Sequence, residues 1–248
     1  GKGYGYQVAK KVYDSKLSDD KIDQIDNILE NLILDPTNRR LLINLFNIDD
    51  LSEMNLAPCA YETFFMVEYL EDNYGIVRPK LNVVLNQRSG DFLVAAHPGG
   101  WNEFQYYFLY RLIADLIGFE LGTFIHNTYN LHLYNRHIDI VDNILEVEEL
   151  DMYHFIKAPF EIREEIRKEI NNTRLRYIKT DDLILDSGRG VYNVITLDNL
   201  DEVHRKNYAK EIIDIYYKYN FTDWYDFTKL DSDLKDIAIK VTKIPVAE

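Results

Sequence analysis

"WNEFQYYFLYRLIADLIGFELGTFIHNTYNLHLY", residues 101–134, changes its period half-way along, and that change sets the fold class. In the first half Phe104, Phe108, Leu112 and Leu116 share one stripe at helical spacing. Asn102 precedes the stripe as a candidate N-cap, and Gly118 stands where a long helix would end. Residues 122–134 then read as a strand, with Asn130, His132 and Tyr134 alternating on one face. Upstream, "LNVVLNQRSGD" (81–91) is another strand by alternation. Leu81, Val83 and Leu85 face one way; Asn82, Val84, Asn86 and Arg88 face the other. Strand, helix and strand in succession place the chain in the α/β class.

Working outward, "HPGGW" (97–101) is a loop and residues 60–71 read as a helix with an apolar face. "LLINLF" (41–46) reads as a strand, and "DPTNRR" (35–40) as the turn before it. Residues 18–34 read as a helix with Ser18 as N-cap, Asp19 and Asp20 in the first turn, and Ile22, Ile25, Ile28, Leu29 and Leu32 at helical spacing. Downstream, 135–146, 161–171 and 203–219 read as helices, and "TKIPVAE" (242–248) as a short apolar tail. The texture turns charged and tyrosine-rich near residue 150, with no repeat and no low-complexity linker.

The formal charge of −14 repels nucleic acid and acidic membranes. A small anion can bind only where arginines are concentrated. No apolar run is long enough for a membrane span, and no secretory signal is visible. One cysteine forms no internal disulfide, which fits a reducing cytoplasm.

That cysteine, Cys59, follows Pro58 in "NLAPCAYETFF" (55–65). It is a small buried hydrophobe or a nucleophile, and a helix starting after Pro58 would favour the second. Arg39 and Arg40 are a solvated pair or a guanidinium clamp on phosphate. "QRSGD" (87–91) offers a guanidinium, a hydroxyl and a carboxylate at a strand end. The polar row Asn130, His132, Tyr134 must be satisfied or face a cavity. His126, His132 and His137 raise zinc as an option, but no Cys or acidic partner sits at metal-site spacing, and no metal is expected.

Taken in order, these stretches resemble the thymidylate synthase family. "GYGYQV" (3–8) is similar to its Tyr-Gly-x-Gln segment, and "DQIDNILENLILDPTNRR" (23–40) to its helix and double-arginine turn. "NIDDLSEMNLAPC" (47–59) is similar to the approach to its nucleophilic cysteine, and "NQRSGD" (86–91) to its Gln-Arg-Ser-x-Asp. Residues 101–134 resemble its long helix followed by Asp-x-His-x-Tyr, and "TKIPVAE" its closing tail.

The resemblance implies an α/β fold with a twisted mixed sheet, packed helices and sheet-to-sheet homodimers. It implies one domain over 1–248 that lacks the family's N-terminal segment and carries a family-atypical insertion at 150–215. It implies transfer of a one-carbon unit from 5,10-methylenetetrahydrofolate to C5 of dUMP through Cys59. Arg88 and Ser89 would hold the 5′-phosphate, and Arg39 and Arg40 would reach the partner's site. Asp91 would sit near the base and the cysteine, Asn102 would read the base, His132 and Tyr134 would hold the 3′-hydroxyl, and Gln87 would order the site. Ala60 after the cysteine, Asn86, Asn130 and "LHLYNRH" depart from the usual pattern and look more like the phage deoxycytidylate hydroxymethylases. A dUMP or dCMP 5-hydroxymethylase and a non-catalytic nucleotide-binding homologue therefore stand as alternatives.

Overall fold

Leu81, Val83 and Leu85 are fully buried along one face of a strand, as their alternation predicts. The computed structural model describes Tyr4, Val8 and residues 11–12, 21–46, 48–71, 73, 75, 77–96, 100–145, 161–177, 200–219 and 221–226. In chain order its elements begin with β1 (Lys11–Val12), β2 (Lys21–Ile22), α1 (Gln24–Leu34), β3 (Leu42–Asn44), β4 (Ala60–Glu71), β5 (Val77–Gln87) and β6 (Gly90–Asp91). There follow α2 (Trp101–Ile117), β7 (Glu120–Thr128), β8 (Leu131–His132), α3 (Ile138–Leu145), β9 (Glu161–Ile162), α4 (Glu164–Tyr177), α5 (Glu202–Lys218), α6 (Phe221–Trp224) and β10 (Tyr225–Asp226).

The main sheet has the order β3-β4-β5-β7. Its first two pairings are antiparallel, and β5 with β7 is parallel because α2 carries the chain back across the sheet. The expected α/β class, with a mixed sheet and packed helices, is borne out. One sheet face, with Ile43, Phe65, Leu81, Val83 and Leu85, is covered by α2 through Tyr106, Ile113 and neighbours. The same core takes in Ile28, Leu29 and Leu32 of α1, Ile166 and Ile170 of α4, and Tyr208 and Ile212 of α5. The described part of residues 150–215 therefore shares one core with the sheet.

Several sequence expectations need correction. Residues 60–71 form β4, not a helix. Tyr61, Thr63, Phe64, Phe65, Val67 and Tyr69 are β-branched or aromatic residues that suit a pleated surface. Helix α1 begins at Gln24, so Ile22 lies in β2 and Asp23 is the cap; its Oδ1 accepts from the N–H of Ile25 at 2.8 Å and of Asp26 at 3.4 Å. Helix α2 is capped by Gly100, and Asn102 sits in its first turn. Strand β7 stops at Thr128, so Asn130, His132 and Tyr134 do not lie on one strand. Ser18 and the 242–248 tail lie outside the described residues.

The C-terminal helices are tied in by polar contacts as well as by burial. Arg174 on α4 donates from Nη2 to the carbonyls of Asp115 (2.8 Å) and Leu116 (2.9 Å), so a cation closes the C-terminus of α2. Gly118 ends α2 with φ 80°, and a Cβ there would stand 2.5 Å from Arg174 Cζ. Arg205 on α5 donates to the carbonyl of Leu34 at 3.2 Å.

Tyr217 on α5 donates to Asp23 at 3.2 Å and to Asp26. Burial pushes the Asp26 carboxyl up to about 6, opposed by the Tyr217 hydrogen bond and assisted by Asp23 and Glu30. A carboxyl raised on folding contributes stability that is complete below its unfolded pKa and lost as pH rises through its folded one. Asp26→Asn is therefore expected to stabilise the fold at pH 7 by about 1 kcal/mol after solvent screening, and to be neutral near pH 3.5. Urea titrations at the two pH values check this.

Candidate active site

Cys59 sits half-buried just before β4, at the end of a loop that follows a 3-10 turn at Ile48–Glu53. The backbone N–H groups of Cys59 and Ala60 both donate to the hydroxyl of Tyr4, at 2.8 and 3.3 Å. Burial, the largest influence, pushes that hydroxyl above its ordinary pKa, while these N–H donors and Arg88 oppose the shift. Tyr106 on α2 donates to the carbonyl of Ala60 at 3.3 Å.

Arg88 follows β5 and closes on the same loop. Its N–H donates to the Cys59 carbonyl at 2.8 Å, extending the β4–β5 ladder by one residue. Its side chain donates from Nε to the Pro58 carbonyl (3.0 Å) and from Nη2 to the Ala57 carbonyl (2.7 Å). Nη2 also lies 3.9 Å from Cys59 Sγ. Because a strand follows Pro58, the helix N-terminus expected to start there is not formed; the Arg88 guanidinium brings positive charge to the sulfur instead.

Gln87 is fully buried and fixes the turn after β5. Its Nε2 donates to the Ser89 carbonyl at 2.8 Å, and its Oε1 lies 2.8 Å from His126 Nε2. The carbonyl oxygen can only accept, so His126 donates; burial lowers the pKa of that ring. Strands β6 and β8 pair in parallel, which sets Asp91 opposite His132. Asp91 Oδ1 accepts from the N–H of Leu93 at 3.0 Å. The rings of His132 and Tyr134 meet edge to face with centroids 5.1 Å apart.

A family model described as Thymidylate synthase matches residues 1–185. The chain belongs to the thymidylate synthase family. It is 38% identical over 151 residues to the thymidylate synthase of Bacillus subtilis subsp. natto, which covers 61% of this chain and 49% of that protein. It is 40% identical over 139 residues to the thymidylate synthase of Bacillus licheniformis, covering 56% and 45%. A solved structure, the thermostable thymidylate synthase A from Bacillus subtilis, is 36% identical with a TM-score of 0.49, over 61% of this chain and 49% of that one. The chain spans about half the length of the curated relatives it matches.

The thymidylate synthase motifs read from the sequence do not all meet in one chain. Cys59, Gln87 and Arg88 form one cluster, joined to Ser89 through its backbone. Asp91 and His132 face each other on the β6–β8 ladder, and the Tyr134 ring packs against that of His132. Asn102 is half-buried at the start of α2. Arg39 and Arg40 are exposed on the 35–40 turn, and the pairing of Leu42 with Phe64 and of Asn44 with Glu62 sets that turn toward the end of β4 away from Cys59. His126, His132 and His137 do not converge: among the described residues no three His, Cys, Asp or Glu side chains are arranged to hold a metal. Among the described residues no helix is long and apolar enough to cross a membrane. The sequence reading missed Tyr4 and Tyr106 as supports of the Cys59 loop. Tyr4 lay inside the quoted "GYGYQV", and its aromatic hydroxyl was the available signal.

Proposed function

We propose that this chain transfers a one-carbon unit to C5 of dUMP, with Cys59 as the nucleophile. The observation that carries the reading is Arg88, whose guanidinium holds the carbonyls of Ala57 and Pro58 and faces Cys59 Sγ. One cation thus connects the motif read as phosphate-binding to the thiol. The Cys59 thiolate adds to C6 of the uracil, and the electrons of the C5–C6 bond pass to O4 as an enolate. C5 is then the nucleophile toward the carbon. Loss of the C5 proton would expel the folate nitrogen and leave an exocyclic methylene. Addition of hydride from the tetrahydrofolate, or of water, to that methylene would return the S–C6 electrons to sulfur and free Cys59. The family's co-substrate, 5,10-methylenetetrahydrofolate, would supply the carbon. Arg88 and Ser89 would hold the phosphate, Asp91, His132 and Tyr134 would position the sugar and ring edge, and Gln87 would keep the turn in place. An Asn102 amide can donate to O4 and accept from N3–H, which suits uracil. The reading places the protein in the reducing cytoplasm.

Arg88→Ala should weaken dUMP binding by about 1.5–3 kcal/mol, the range for hydrogen bonds to charged groups. Calorimetric titration measures it, and binding equal to wild type would remove Arg88 from the site.

A second copy completes the proposed site. The sheet face opposite α2 presents Phe64, Met66, Val84 and Ile125, with Met66 46% and Ile125 44% exposed. Packed against the same face of another chain, it would let Arg39 and Arg40 serve the partner's phosphate. A Cys59 variant mixed with an Arg40 variant should regain activity through hybrid dimers. No recovery after confirmed subunit exchange would argue against a shared site.

Ala60 favours a second reading, since it adds no polar side chain beside the cysteine. If water reaches the methylene on C5, the product is 5-hydroxymethyl and the folate is not oxidised. One assay separates the readings. A rise in near-ultraviolet absorbance with dUMP marks dihydrofolate and a methyl product. A product heavier by one hydroxymethyl group without that rise, with dUMP or dCMP, marks the hydroxymethylase. Binding of dUMP without turnover marks a non-catalytic homologue.

A further inference from the structure

His137 is 2% exposed, yet the proposed reaction gives it no part. Its backbone N–H donates to the Tyr134 carbonyl at 2.8 Å, which holds the ring at the turn after β8. Arg136 Nε donates to His137 Nε2 at 3.1 Å. A guanidinium only donates, so Nε2 must present its lone pair and the ring proton belongs on Nδ1. That Nδ1 is buried without a hydrogen-bond partner. It faces Asp91 Oδ2 at 3.7 Å, just outside hydrogen-bond length. The other Asp91 oxygen already accepts from Leu93. Tyr134 packs edge-on against the His137 ring at 5.8 Å, and Arg136 lies over the Tyr134 ring at 4.8 Å.

We propose that His137 is a positioning residue for Asp91: its Nδ1–H closes onto Oδ2 when the site fills, and Arg136 sets the tautomer that allows this. The inference rests on the reading of Asp91 as a site residue. With Oδ1 held by a backbone N–H and Oδ2 by the imidazole, the carboxylate cannot turn about its Cβ–Cγ bond. Its remaining lone pairs then offer a fixed acceptor to a ligand N–H. A neutral ring does this without cancelling the carboxylate's charge. The buried donor gains the acceptor it lacks, which favours closure.

The test needs a readout independent of turnover. In protein labelled with 15N-histidine, the long-range 1H–15N spectrum should show His137 as the Nδ1–H tautomer. Asp91→Asn should shift its Nδ1 resonance, and Arg136→Ala should give mixed tautomers. In turnover, His137→Gln should lower kcat/KM with dUMP about tenfold, the size expected for one lost hydrogen bond. His137→Asn places an amide nitrogen near the position of Nδ1 and should recover most of that loss. An Nε2–H tautomer in the native protein, or equal damage from Asn and Gln, overturns the proposal. If one-carbon transfer is absent while the Nδ1–H signal still responds to Asp91→Asn, the positioning contact stands and the reading of the reaction falls.

Discussion

Cys59→Ala is expected to lower turnover by on the order of 10^4-fold or more, because Cys59 is the one thiol in the sequence to form the bond to C6. The fold should survive. Cys59 is half-buried, and the contacts that hold its loop are made by its backbone: its N–H to Tyr4, its carbonyl to the N–H of Arg88, and the neighbouring carbonyls to the Arg88 side chain. Loss of one small sulfur leaves all of these in place. Binding of dUMP should therefore stay within a few-fold of wild type, an unusual separation of affinity from rate. With 5-fluoro-dUMP and the folate, the native protein should form an adduct that persists in denaturant, since fluorine on C5 cannot leave as the proton does. Mass spectrometry should place it on Cys59 and find none in the alanine variant. Ordinary turnover by Cys59→Ala would end the nucleophile assignment.

The largest stability effect is expected at Gly118. Its φ of 80° is the left-handed region, and Gly118→Ala adds a Cβ 2.5 Å from Arg174 Cζ. The buried guanidinium must move off the carbonyls of Asp115 and Leu116, which then lose their donor. The backbone penalty and the displaced contact together should cost about 2–4 kcal/mol. Arg174→Ala alone should cost about 2–3 kcal/mol through the same carbonyls. The double variant should cost less than the sum, because the added methyl group no longer meets a guanidinium. Urea unfolding of the four proteins gives the coupling directly. Strict additivity would show that Gly118 and Arg174 act separately.

The helix 101–117 was legible because its outer positions are polar enough to show the period, and Gly118 marks its end. Strand β5 was legible for a related reason: Asn82 and Asn86 fall on the face opposite Leu81, Val83 and Leu85. Strand β4 was misread because its outward residues Phe64 and Met66 are apolar too, which hides the period of two. That same outward face is the one proposed to meet a second chain, so local pattern and assembly compete there. The order of motifs singled out Cys59 and Arg88 as candidates, but not how they meet. Arg88 reaches the cysteine loop across the sheet from 29 residues away, and the hydroxyl of Tyr4 from 55. No short-range pattern encodes contacts of that separation.

The polar tie between Tyr217 and Asp26 spans 191 residues, and that between Arg205 and Leu34 spans 171. A nascent chain leaving the ribosome therefore displays Ile28, Leu29 and Leu32 well before α5 exists to cover them. At ordinary elongation rates that interval is about 10–40 s, long compared with hydrophobic collapse and long enough for a holding chaperone to engage. Vectorial synthesis thus delays completion of this core until α5 arrives, and arrest of translation before α5 should leave a chain that proteases cut within α1.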